Sequence, residues 1–198
     1  MAFMLARFKG SYERLIADPK RALLSDLSGD ILEIGPGAGP NLAYYSPNVH
    51  WTGIEPNPFM HPYLRREAER LGRRIEIRDG TAERVPAEDS SVDAVVSTLV
   101  LCSVGDVPKA LQEILRVLRP GGRFVFIEHI AAPPGTWLRR LQRCIRPVSK
   151  ALADGCCPDR ETRAAIDRAG FERVDCQYFR IPIPIVAPHI AGVAAKKT

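Results

Sequence analysis

Strand-length apolar segments alternate with helix-length amphipathic ones from Asp30 to Ile130, at intervals of about 20–30 residues. A strand that rejoins its sheet by way of a helix runs parallel to its predecessor, because the right-handed crossover packs the helix back onto the sheet. The alternation therefore predicts an α/β fold built on a doubly wound, mostly parallel sheet. Its strands are expected at Asp30–Ile34, His50–Ile54, Arg74–Arg78, Val92–Leu101 and Gly122–Ile130, followed by Phe171–Phe179 and Ile185–Ala195, which makes seven. The run from Val92 to Leu101 is almost wholly apolar, as suits a central strand covered on both faces. Helices are expected over Ser11–Leu27 (interrupted near Pro19), from the glycine loop to Tyr45, from Asn57 or Pro58 to Leu71, and from an Asp106 cap to Leu118. After Ala131-Ala-Pro-Pro-Gly135 the rhythm changes. Trp137–Leu152 carries Arg139, Arg143, Arg146 and Lys150 on one side and Leu138, Leu141, Ile145 and Val148 on another, with Pro147 inside. We expect one domain spanning 1–198, with a helical cap at about 131–158, then a helix from Asp159 or Glu161 to Gly170.

Composition narrows the function classes. Lys plus Arg number 28 against 23 Asp plus Glu, a formal charge of +5. The arginines are spread along the chain rather than massed in a tail, so no nucleic-acid arm is expected. No apolar run approaches the roughly 20 residues of a membrane span. Met1 to Phe8 is short, carries Arg7 and lacks a cleavage site, so no signal peptide is expected. The five cysteines form no C-x-x-C pair, and Cys156 adjoins Cys157. Reduced thiols in a cytoplasmic protein and no metal site are the expectation. Should Cys102 meet the Cys156–Cys157 pair in space, a soft-metal or arsenite site becomes conceivable.

Gly35-Pro-Gly-Ala-Gly39 follows the first strand, and Glu55 ends the second. A carboxylate there can accept both hydroxyls of a ribose. The loop lacks the Lys-Ser/Thr of a P-loop, which argues against nucleotide hydrolysis. It also lacks G-x-G-x-x-G spacing, which favours a nucleoside with an amino-acid tail over a pyrophosphate cofactor.

From Ser25 to Ile130 the chain resembles the class I S-adenosylmethionine-dependent methyltransferases. The likeness rests on Leu32-Glu-Ile-Gly-Pro-Gly-Ala-Gly39, Gly53-Ile-Glu-Pro-Asn57, Asp79-Gly-Thr-Ala-Glu83, Ser91-Val-Asp-Ala-Val95 and Val117-Leu-Arg-Pro-Gly-Gly122, in family order. The resemblance implies a Rossmann-like sheet that binds S-adenosylmethionine. Gly35 and Gly37 would admit the amino-acid part, with Glu33, Pro36 and Asn41 nearby. Glu55 would take the ribose hydroxyls. Pro56 and Asn57 would flank the adenine on one side, and Gly80, Thr81 and Ala82 on the other. Thr98 and Leu99 would line the methionine arm. Family members often carry aspartate where Thr81 stands, which leaves the adenine amino contact open.

Further motifs narrow the resemblance. Ser97-Thr-Leu-Val-Leu-Cys-Ser-Val104, Glu128-His129, Asp154-Gly-Cys-Cys157, Arg160-Glu-Thr162 and Pro188-His189-Ile190 are similar to the methyltransferase-like alkyl thiol S-methyltransferases of animal endoplasmic reticulum and lipid droplets. Glu55 replaces that family's usual aspartate and keeps the carboxylate. The animal proteins carry an apolar N-terminal anchor, whose membrane residence does not transfer to a chain that begins almost directly at the domain. The basic stretch Trp137–Lys150 leaves open a peripheral membrane contact or a solvated cap helix. The partner implied is a small-molecule methyl acceptor, most simply a thiol; an O-, N- or C-methyl acceptor such as a quinone or phospholipid headgroup, or a non-catalytic cofactor-binding role, are the alternatives. The sequence leaves the oligomeric state open. Candidate catalytic residues are His129, at the end of the fifth strand, and Asp154 in the cap, each weighed against a structural role. Glu128 is expected on the opposite face from His129.

Overall fold

The computed structural model describes residues 12–198; the expectation for Met1 to Phe8 lies outside the described residues. The strands β1 (Asp30–Ile34), β2 (His50–Ile54), β3 (Ile75–Arg78), β4 (Val92–Thr98), β5 (Leu118–His129), β6 (Arg173–Arg180) and β7 (Pro188–Ala195) form one seven-stranded sheet. Its order is β3-β2-β1-β4-β5-β7-β6, parallel throughout except that β7 runs antiparallel to both neighbours. Helices are α1 (Ala17–Leu24), α2 (His61–Arg70), α3 (Val107–Val117), α4 (Trp137–Leu152) and α5 (Thr162–Arg168).

Side chains alternate across β4 and β5 and feed two cores. Val95, Phe124 and Phe126 pack with Leu111, Ile114 and Val117 of α3. Ala94, Val96 and Val125 pack with Leu24, Leu27, Leu64 and Ala68 on the other face. Each fully buried Leu, Ile or Phe contributes about 1.5–3 kcal/mol through the apolar area removed from water.

The structure corrects several element expectations. No α-helix follows the glycine loop. Pro36 to Tyr44 runs through successive tight turns, with Gly39 N bonded to Pro36 O at 2.9 Å, Leu42 N to Gly39 O at 3.1 Å and Tyr44 N to Asn41 O at 2.9 Å. Pro40 has no N–H to give, and Asn41 and Tyr45 both turn inward to Glu33. Pro19 does not interrupt its helix. It sits in the first turn of α1, where N–H groups have no helical partner, and the break falls at Ile16. Strand β4 stops at Thr98 because Leu99 takes φ +59. Strand β5 begins at Leu118 with a register irregularity between Val92 and Ala94, so that Arg119–Gly122 lies outside the regular ladder. In α4 the buried residues are Leu138, Arg139 and Gln142, whereas Val148 is exposed. The neighbours explain this: Gln142 bonds Ala132 N, Ile130 O and Ile185 O, and Arg139 pairs with Glu161 at 2.5 Å. Among the described residues no helix is long and apolar enough to cross a membrane.

Candidate active site

The strand order reverses between β1 and β4, and ligands of such sheets bind beyond the carboxyl ends at that point. The glycine loop leaves β1 there. Gly35 has φ +60, its N–H donates to Ile54 O at 2.9 Å, and an added Cβ would lie 2.8 Å from Val100. Gly37 has φ +56, but a Cβ there would meet only the tip of Met60, at 3.9 Å. The loop is thus packed behind Gly35 and open at Gly37.

Glu55 is buried at the end of β2 and faces this loop. Its Oε2 accepts from Gly37 N at 2.8 Å and its Oε1 from Asn57 N at 2.9 Å. Asn57 Oδ1 accepts from Phe59 N and starts the 3-10 turn Pro58–Met60, while Pro56 and Asn57 are exposed. Across the crevice Gly80 lies against Pro86 and Ile54, Thr81 is exposed, and Ala82 is buried. Glu33 lies beneath the loop. Its Oε1 accepts from Asn41 at 2.9 Å, and its Oε2 from Tyr45 at 2.6 Å and Trp51 at 3.0 Å. Burial pushes its carboxyl pKa up, against those hydrogen bonds. Asn41 also donates to Thr98 Oγ1 at 3.0 Å, tying the loop to the end of β4, and its Oδ1 is buried without a partner among the described residues. Pro36 is buried against Gly53.

A second group of polar side chains lies at the ends of β4, β5 and β7. Leu99 is strained at φ +59, and the turn after it is held by Glu128, whose Oε1 accepts from Ser97 Oγ at 2.7 Å, Val100 N at 3.1 Å and Leu101 N at 3.2 Å. Glu128 follows strand alternation to the face opposite His129, as expected, yet it shapes the site from there. Burial raises its pKa. The turn delivers Cys102, buried, towards His129 and Cys156. His129 Nε2 lies 3.2 Å from Cys156 Sγ. The neighbouring Cys102 thiol, together with His129, holds Cys156 well below the ordinary thiol range despite partial burial. The neighbouring Cys156 and burial push the Cys102 thiol up.

Two residues beside this cluster escape sequence reasoning as a unit. Tyr12 Oη lies 2.6 Å from His189 Nε2, while His189 Nδ1 lies 3.2 Å from Ala187 O. Burial pushes His189 down to about 4, so it is neutral near pH 7. Its Nδ1–H then donates to the carbonyl, and Nε2 accepts from Tyr12. Nothing in the sequence around Tyr12 marks it. Asp154 is not brought into the cluster: it is exposed, at φ +48, in the turn that ends α4, where Gly155 N bonds Lys150 O. Its neighbourhood explains it as a turn former, with Cys156 the residue that reaches inward.

Two cavities of about 460 Å³ lie elsewhere. One, among Tyr45, Trp51, Leu71 and Ile75, is at the amino ends of β2 and β3, the edge opposite the site. The other, among Arg139, Arg143, Arg146 and Cys157, lies by the cap.

A methyltransferase domain family matches residues 32–126. Thiol S-methyltransferase TMT1A of Homo sapiens is 39% identical over 98% of this chain and 85% of its own, and TMT1B of the same organism is 37% identical over the same shares. Among solved structures, a SAM-dependent methyltransferase from Thermotoga maritima superposes with a TM-score of 0.67 at 22% identity, covering all of both chains. The last comparison bears on the fold alone, and it matches the seven-stranded sheet. With near-complete coverage by relatives of this identity, and with the loop and carboxylate of the cofactor half in place, the chain belongs to the family of these methyltransferases, within class I of the S-adenosylmethionine-dependent enzymes.

Proposed function

We propose that this methyltransferase acts on a small lipophilic thiol. The observation that carries the reading is the position of the thiol–imidazole cluster of Cys102, His129 and Cys156 at the ends of β4 and β5, on the same edge of the sheet as the glycine loop after β1 and Glu55 after β2. S-adenosylmethionine, when bound, supplies an electrophilic methyl group on a sulfonium sulfur. The residues fit it: Glu55 presents a carboxylate at the loop, the open side of Gly37 leaves room a side chain would fill, and Asn41 keeps an unpartnered oxygen. On this reading Glu55 holds the ribose hydroxyls, while Pro56 and Asn57 flank the adenine opposite Thr81 and Ala82. Gly35, Gly37, Asn41, Thr98 and Leu99 line the amino-acid arm, and Glu33 positions Asn41 from below.

His129 contacts the acceptor. A thiol has a free pKa of about 8.5, so it needs little help to become the nucleophilic thiolate. The chain's task is then to hold the sulfur in line and exclude water. The names of the curated relatives support a thiol acceptor. The whole of 1–198 acts as one unit on this reading, with 131–158 as its cap. Trp137, Val148 and Leu152, exposed on α4 among arginines, support a peripheral membrane contact. The five free cysteines suit a reducing, cytoplasmic setting. A panel of thiols, phenols, amines and quinones, read by product mass, tests the proposal. Preferential methylation of thiols is expected; preference for another class, or cofactor binding without transfer to any acceptor, would refute it.

A further inference from the structure

Cys102 Sγ, a ring nitrogen of His129 and Cys156 Sγ lie within 4.8 Å of one another, and the fold goes to some length to bring them there. Cys102 sits on the turn that begins with the strained Leu99; Cys156 sits on one that passes through positive φ at both Asp154 and Gly155. The two turns are stitched together. Cys157 N donates to Cys102 O at 2.9 Å, and Arg160 donates to Cys102 O at 3.3 Å and Val104 O at 2.7 Å. Gly155 packs so closely that a Cβ would stand 3.2 Å from Ser103 O. Cys102 and His129 are buried, whereas Cys156 keeps partial exposure and marks the open side.

We propose that Cys102, His129 and Cys156 form a three-ligand site for a thiophilic divalent cation of the zinc class, with its fourth position open. Two sulfurs and one imidazole nitrogen are a zinc donor set, and three protein ligands with a vacancy are the pattern of catalytic rather than structural zinc. Tetrahedral ligation at about 2.0–2.3 Å sets donor atoms about 3.5–3.8 Å apart, so closure from the observed spacing takes shifts of about 1 Å. The use of the vacancy rests on the thiol reading above. A substrate thiol entering it exchanges its S–H bond for a metal–sulfur bond, its proton passing to solvent water, and the sulfur is then fixed beside the methionine-arm residues Thr98 and Leu99.

The test uses the full chain, purified with a phosphine reductant, stripped of metal by dialysis, and titrated with zinc chloride and with cobalt chloride as a chromophoric probe. We expect one equivalent per chain, with thiolate-to-cobalt charge-transfer and tetrahedral d–d bands. Cys156→Ser, at a partly exposed position that tolerates change better than Cys102, should weaken binding roughly a hundredfold or more. Cys144→Ser, exposed and outside the cluster, should leave it unchanged. Absence of the cobalt–thiolate band, equal binding by Cys156→Ser, or a Cys102–Cys156 disulfide in alkylation-trapped cell extract would overturn the proposal. Binding is read without substrate or cofactor, so a failed thiol panel leaves that result standing. Undiminished thiol methylation by demonstrably metal-free protein would remove the cation from the reaction and leave the thiol reading intact.

Discussion

A single carboxylate, Glu55, carries the proposed grip on the cofactor. Glu55 accepts two backbone N–H bonds, from Gly37 and Asn57, and is fixed before any ligand arrives. Preorganisation of this kind lets an anion add a charged hydrogen bond to a sugar without first ordering itself. Glu55→Ala is expected to weaken S-adenosylmethionine binding roughly 10–100-fold by calorimetry, with Glu55→Asp in between. Unchanged affinity in the alanine variant would take Glu55 out of the site. Glu33, equally buried and also acidic, has a different task, because Asn41, Tyr45 and Trp51 already donate to it. The sequence singles out Glu55 by its place at the end of the second strand, whereas the donors that occupy Glu33 appear only in the fold.

Helix α3 shows how one element couples the loop of Thr81 and Ala82 to the core. Its apolar face buries Ala110, Leu111, Ile114 and Val117, and its first turn is capped by Asp106, whose Oδ1 accepts from Lys109 N at 3.0 Å. Glu83, on the loop of Thr81 and Ala82, accepts from Gly105 N and Asp106 N, so that loop and the helix start are one hydrogen-bonded unit. Asp106→Ala should cost about 1 kcal/mol, a fall in Tm of roughly 2–4 °C, with Asp106→Asn close to wild type. A thermal melt that does not move would show the cap to be dispensable. This element was legible in advance from Asp106, Pro108 and the helical period. The segment after the glycine loop was not, because Asn41 and Tyr45 bend it towards a carboxylate whose burial the period does not reveal.

Across the molecule, acid sensitivity follows from carboxylates that bridge elements. Glu113 is held below the ordinary carboxylate range by its hydrogen bonds with Arg116, against some burial, and also accepts from Val85 N at 2.9 Å. Burial pushes Asp93 upward, but Arg119 and Asp30 N outweigh it and lower its pKa. A depressed folded-state pKa stabilises above the unfolded value of about 4 and loses that stability as pH falls through the folded value. The contribution of these two carboxylates to Tm should thus hold steady from about pH 7 to 5 and be lost below about pH 4, whereas His189, held down to about 4, adds a separate decline that begins near the free imidazole value of about 6.5. Glu113→Gln should start lower at neutral pH and decline less steeply in acid; parallel curves for the two proteins would exclude Glu113 from the effect.

By itself the sequence determined the parallel sheet, the glycine turn and the acidic end of the second strand, because period, turn chemistry and a strand terminus are local and repeat at fixed spacing. The tertiary structure alone decided that residues 102, 129 and 156 meet, that Asp154 turns outward while Cys156 reaches in, and that Tyr12 closes on His189. Those contacts join positions 27 to 177 residues apart. No one-dimensional pattern encodes such distances, since they depend on which strand tips the packed core places side by side.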